Sequence, residues 1–134
     1  MAYKRKSIKD LDSADIEVKD PTTQAPLGMI VTLAGPENPK RQTIEYAVQR
    51  KLRASLQKTG KIELADPIDD MQDSIEKLAA CTLGWKGYQD EAGVEIPFTA
   101  AAALKAYTDE PWLRDQMMTA LNERERFIKS SAAN

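Results

Sequence analysis

The residues with intrinsic chemistry are few and poorly spaced for catalysis. Cys81 is the only strong nucleophile, and the chain has no histidine to activate it. Buried filler is therefore the expected role of Cys81. Histidine is also the side chain most used for proton transfer near neutral pH and the commonest metal ligand, so its absence argues against an enzyme. Carboxylate pairs such as Asp69 with Asp73, or Asp90 with Glu91, lack a setting that marks acid and base work. The acids at 66, 69, 70 and 73 have the density of a metal cluster. They also fall at a helix start, where successive carboxylates serve as partners of the helix dipole. The glycines form neither a Walker loop nor G-x-G-x-x-G, so no nucleotide site is expected. These readings give no catalytic residue, no metal and no cofactor.

What remains is binding. The aromatic set Trp85, Tyr88, Phe98, Tyr107, Trp112 and Phe127 has two uses, as core of a small domain or as hot spots for a partner, since tryptophan is enriched at such sites. Methionines adapt to varied apolar partners, and Met118 lies off the main stripe of the last helix, where a partner would explain an exposed apolar side chain. The expected partner surface is Trp112, Met117, Met118 and Leu121 on that helix, with Trp85 and Phe98 positioning it.

The elements carrying these residues follow from periodicity. Residues 1–13 are basic and without pattern, and read as a flexible arm. Asp15 to Lys19 alternates, with Ile16 and Val18 on one face, as a half-buried strand requires. Leu27 to Ala34 alternates likewise, so the two form a hairpin whose long connection, Asp20 to Pro26, predicts a floppy tip. From Pro39 to Lys58, Ile44, Ala47, Val48, Leu52 and Leu56 recur at helical spacing, and Gly60 is a stop signal. Arg41, Arg50, Lys51, Arg53 and Lys58 fill the rest of that helix, as a solvated face or as a site for a polyanion or acidic partner.

Asp66 and Pro67 then start a second helix, with Ile68, Met71, Ile75, Leu78, Ala79 and Thr82 as its buried stripe. Gly84 to Pro97 reads as irregular, with a short β excursion at Val94 to Ile96. Thr99 caps a short helix, Ala100 to Tyr107. A last helix runs from Pro111 to about Ile128, with Trp112, Leu113, Gln116, Met117, Ala120, Leu121, Arg124, Phe127 and Ile128 along one broad face. That stripe needs cover, so self-association into a homo-oligomer is a further expectation.

The bulk numbers agree with one ordinary domain: 134 residues, 42% hydrophobic and 30% charged. The expected fold is α+β, an N-terminal β-hairpin packed on a bundle of about four α-helices, with residues 14–129 as a single domain and 130–134 as a disordered tail. A net charge of -2 gives no general attraction to nucleic acid. The basic stretch Lys40 to Lys61 and the acidic stretch Asp66 to Glu76 instead complement each other. One cysteine excludes an internal disulfide, and no apolar run suits a membrane span or a signal peptide, which points to a reducing cytoplasm and no membrane partner.

The order of short motifs supplies a family. Val31-Thr32-Leu33-Ala34-Gly35-Pro36, then Gly84-Trp85-Lys86-Gly87, an acidic turn with Gly93, a Pro97-Phe98-Thr99 helix start, and Trp112-Leu113-x-x-Gln116 in a final helix reaching Phe127 together resemble the tail assembly chaperones of long-tailed bacteriophages, in the short, lambda-type form. The resemblance spans about Ile16 to Phe127. It departs in the short helix, where Ala101 to Ala103 stand in place of a polar Glu-Asn pair. What it implies is a non-enzymatic protein in the host cytoplasm that coats the tape-measure protein, keeps it soluble and helps recruit tail-tube subunits. In such families programmed frameshifting often adds a longer form whose extension recruits the tube. The alternatives are a structural virion protein, either a tail-tube or a head-to-tail joining subunit, and a small DNA-binding regulator using the first helix.

Overall fold

The computed structural model describes residues 2–59 and 67–130. Its elements, in chain order, are strand β1 (Ile8–Asp10), strand β2 (Ser13–Lys19), strand β3 (Pro26–Ala34), helix α1 (Pro39–Thr59), helix α2 (Pro67–Cys81), strand β4 (Thr82–Lys86), helix α3 (Ala100–Asp109), helix α4 (Pro111–Asn122), a 3-10 turn (Arg124–Phe127) and strand β5 (Ile128–Ser130). The fold is α+β, with the strands of the hairpin preceding the helices. Gly60 as a helix stop, Asp66 as a cap and the tail beyond Ser130 lie outside the described residues.

The hairpin β2–β3 is antiparallel, with Ile16 opposite Val31 and Ala14 opposite Leu33. Period-2 geometry sends Ile16, Val18, Met29, Val31 and Leu33 to the buried face and leaves Asp15, Glu17 and Lys19 in solvent. Its tip is not the floppy connection expected. The Asp20 carboxylate accepts hydrogen bonds from the Thr22 backbone N–H (2.8 Å) and hydroxyl (2.6 Å) and from the Thr23 backbone N–H (3.1 Å). These bonds hold the Asp20 carboxyl below its usual range.

Three strands were invisible in the sequence. β4 follows α2 directly and pairs with β3, Trp85 opposite Val31, which makes β3 the central strand of a three-stranded sheet. Thr82 thus opens a strand rather than extending the stripe of α2, although its hydroxyl still donates to the Leu78 carbonyl as in a helical turn (2.8 Å). β1 pairs with β5, Ile8 opposite Ser130 and Asp10 opposite Ile128. The stretch expected to be an arm therefore contains a strand, and the end of the chain's last helix is replaced by one. Every residue of β1 is exposed, so it is held by backbone bonding and shows no apolar period. α4 stops at Asn122 because Glu123 is extended (φ -91°, ψ 90°), and the chain then turns through Arg124–Phe127 into β5.

The core lies between the sheet and α2, α3 and α4. Ile75 and Leu78 from α2, Ala103, Ala106 and Tyr107 from α3, and Leu113, Met117 and Leu121 from α4 join Val18, Val31 and Leu33 in one buried cluster. Fully buried Ala103 and nearly buried Ala106 let α3 lie close to α2. Phe127 is buried too, beneath Gly35. A Cβ at Gly35 would sit 2.5 Å from the Leu11 carbonyl oxygen and 3.2 Å from the Phe127 ring, so glycine permits this approach.

Candidate interaction surfaces

The Trp85 to Thr99 stretch is a structural latch. β4 presents Trp85 half-buried, and its indole N–H donates to the Ile96 carbonyl (2.8 Å). Tyr88 and Phe98 each meet the indole edge-on at 5.0 Å between centroids. Between them the Asp90 carboxylate accepts from the Ala92 and Val94 backbone N–H groups (2.9 and 3.0 Å), and Gly93 takes a positive φ of 81°. Val94–Ile96 contributes one isolated bridge, Glu95 to Gln89, at the β excursion expected there. Gly87 has φ +76°, and a Cβ on it would overlap the Gly28 carbonyl, so this glycine lets the latch seat against β3. The Tyr88 hydroxyl donates to Glu110 (2.6 Å), tying the loop to the junction between α3 and α4. Partial burial first, and that carboxylate second, push the Tyr88 phenol well above its ordinary value.

Two of the four α4 residues expected at the partner surface lie in the core. Met117 is 0% exposed and Leu121 5%, so both belong to the core, because α3, α2 and β2 already cover the stripe that was expected to need another copy. Trp112 and Met118 are half-buried and pack against the same core, as do Trp85 and Phe98. The structure brings Trp85 and Phe98 together but not onto the Trp112 side: Trp112 lines a separate polar groove of about 570 Å³ with Asp15, Glu17, Asp115 and Gln116. At one end of that groove the Gln116 side-chain amide accepts from the Lys19 N–H (2.8 Å) and donates to the Lys19 carbonyl (2.9 Å), standing in for a neighbouring strand at the edge of β2.

Among the described residues, a row of exposed apolar side chains lies on α1. Asn38 starts this helix by accepting from the Lys40 N–H (2.9 Å), and the main packing of α1 is against α2. Val48 (55% exposed), Leu52 (48%) and Leu56 (38%) follow one another at i, i+4, i+8 along α1, with Tyr46 also exposed on α1 and Met71 on α2. The sequence pattern identified this row correctly but implied its burial. Arg41, counted with the solvated basic residues, is buried: it donates to the Ala34 carbonyl (3.0 Å), pairs with Glu45 (3.2 Å) and lies 5.8 Å from the centre of the Phe127 ring. Glu45 also meets Lys77 of α2 at 3.8 Å, so one carboxylate joins the two helices.

Between α1 and α2 runs a cleft of about 500 Å³, with Ile44, Ala47 and Val48 on one side and Asp70, Asp73 and Glu76 on the other. The groups able to do chemistry stay apart. Cys81 is buried, and desolvation raises its thiol. Tyr107 is buried with its hydroxyl 2.8 Å from that of Thr82. Since the Thr82 proton goes to Leu78, Tyr107 is the donor in that pair, and burial pushes its phenol up to about 12. Among the described residues no group of three or more acids or cysteines could hold a metal ion, and no helix is long and apolar enough to cross a membrane. No family model, curated protein or solved structure matches the chain.

Proposed function

We propose that this protein is a non-enzymatic tail assembly chaperone of a long-tailed bacteriophage, acting in the host cytoplasm to bind the tape-measure protein, keep it soluble and help recruit tail-tube subunits. The observation that carries the reading is the row Val48, Leu52 and Leu56, which is exposed beside a cleft with charged walls on a domain whose core is already filled. A tape measure is a long helical chain with apolar stripes that aggregate when bare. A chaperone for it needs an apolar surface, a polar rim and modest affinity per site, because many copies along one client act together. The ordered motifs Gly84 to Gly87, Pro97 to Thr99 and Trp112 to Gln116, which carry the family resemblance, support the same reading through the latch and α4 that hold the domain together.

The test is co-expression with the tape-measure protein of the same genome, followed by affinity capture and comparison of soluble fractions. A soluble complex formed only when both are present is the expected result. An insoluble tape measure beside free chaperone, with this protein instead recovered in purified virions, would refute it in favour of a structural virion subunit.

A further inference from the structure

β2 is an edge strand, and the groove beside α4 runs along it. Backbone bonding fixes which residues use the outer edge. The Gly35 N–H donates to the Asp12 carbonyl and the Asp20 N–H to the Ala25 carbonyl (both 2.8 Å), so residues 12 and 20 direct those groups inward. Alternation along the strand turns Asp15, Glu17 and Lys19 outward. The register shift keeps this parity: Glu17 to Lys19 faces Ile30 to Pro26, two steps against four, so the extra residues lie on β3. Lys19 shows what the edge binds, since its N–H and carbonyl both go to the Gln116 amide (2.8 and 2.9 Å). Among the described residues, the outward N–H and carbonyl of Asp15 and Glu17 have no such partner.

A peptide backbone offers Asp15 and Glu17 the same donor and acceptor that the Gln116 amide offers Lys19. The groove also has a charge preference. It is lined by Asp15, Glu17, Asp115 and Glu123 against Lys19 and Arg126, four acids to two bases, and Arg126 is already paired with Glu123 (3.4 Å). Asp15 accepts from the Thr32 hydroxyl (2.7 Å) and Asp115 lies 3.6 Å from Arg114, which leaves Glu17, exposed at the middle of the edge, as the acid with no ion pair among the described residues.

We propose that this edge accepts an extended segment of a partner protein as an antiparallel fourth strand, with lysine or arginine at every second position, opposite Asp15 and Glu17. Backbone bonds hold the segment and the alternate bases set its register, while Gln116 marks the end of the open edge. A second copy of β2 fits poorly, because antiparallel pairing about residue 15, 16 or 17 sets acid opposite acid.

The test uses full-length protein and a synthetic peptide of about ten residues alternating lysine and threonine, a usual strand length, with two N-methylated forms. In an antiparallel pair the residues opposite Asp15 and Glu17 exchange both bonds with them, so N-methylation of the lysines removes the bonding N–H groups and N-methylation of the threonines does not. Fluorescence anisotropy is expected to show the lysine-methylated peptide bound roughly tenfold more weakly than the parent and the threonine-methylated one within about threefold of it. Hydrogen exchange followed by NMR should show the Asp15 and Glu17 amides protected only when the parent peptide is bound. Glu17→Lys should weaken binding roughly tenfold at low salt with an unchanged circular dichroism spectrum.

Equal affinity for the three peptides would reduce the contact to charge alone and overturn strand addition. Undiminished binding by Glu17→Lys would overturn the basic occupant, and failure of the parent peptide to bind would overturn the edge as a docking site. Concentration-dependent dimerisation that protects the Asp15 and Glu17 amides without peptide would give the edge to a second copy and overturn the proposal. None of these outcomes involves the tape measure, so the chaperone reading stands or falls separately.

Discussion

Truncating Met117 to alanine separates a core role from a partner role for α4. Met117 is 0% exposed and belongs to the central cluster with Leu113, Leu121 and Tyr107. The change removes the thioether and its terminal methyl from close-packed surroundings. Buried methionine truncations cost ~2–5 kcal/mol, as transfer energy plus the cavity left behind. Taking ~3 kcal/mol and an unfolding entropy of roughly 2 cal/mol/K per residue, the melting temperature falls by roughly 10 °C for a chain of this length. In urea at 25 °C the same loss moves the midpoint down by roughly 2 M for a slope near ~1.5 kcal/mol/M, with the slope unchanged. The control is Leu52→Ala, at a side chain 48% exposed, which should stay within ~0.5 kcal/mol of the wild type. A Met117→Ala protein with an unaltered midpoint that no longer captures the tape measure would refute the argument, because only a surface contact behaves that way.

Gly87→Ala should destabilise the latch by at least ~1 kcal/mol, since the position combines positive φ with overlap on the Gly28 carbonyl; faster hydrogen exchange across residues 82–99 is the readout. Trp85→Phe keeps an aromatic side chain but shortens the ring system and leaves the Ile96 carbonyl without its indole donor, a loss of at least ~1 kcal/mol measurable by denaturant melts. Because the folded Tyr107 phenol titrates near 12, above the unfolded value of about 10, its contribution is complete below pH 10 and is lost as pH rises towards 12. A Tyr107→Phe protein should therefore be less stable near neutral pH and lose less stability than the wild type between pH 10 and pH 12. Glu45→Gln removes the carboxylate shared by Arg41 and Lys77, and should cost more than an ordinary surface ion pair because it leaves the buried Arg41 charge uncompensated; thermal melts across a salt series give the comparison.

The sequence was most informative where a pattern repeats within one element. Alternation at Ile16 and Val18 and at Met29, Val31 and Leu33 specified a hairpin with one buried face. The Pro97-Phe98-Thr99 start located α3, whose Thr99 side chain accepts from the Ala102 N–H at 2.9 Å. The candidate site was far less legible. The same i, i+4 rule that put Met117 and Leu121 on one stripe also put Val48 and Leu52 on one, and periodicity carries no information about which stripe finds a cover. The first two sit in the core, on a helix packed against α2, α3 and β2, and the second two are exposed. Arg41 differs from the pattern for a related reason: its type says charged, while its burial depends on Phe127, far away in sequence, and on the turn that brings the nearby Ala34 carbonyl back to it.

Local patterns by themselves determined the fold class, the hairpin, the starts of α1 and α3 and the absence of histidine chemistry, because those depend on residue types and on contacts within a few residues. Only the tertiary structure decided that β4 would make β3 a central strand, that β1 would find β5 more than a hundred residues away, and that among the described residues the exposed apolar row would belong to α1 rather than α4. Strand pairing is made by backbone groups that every residue carries, and burial is a property of what lies opposite. Neither is encoded at the position where it acts.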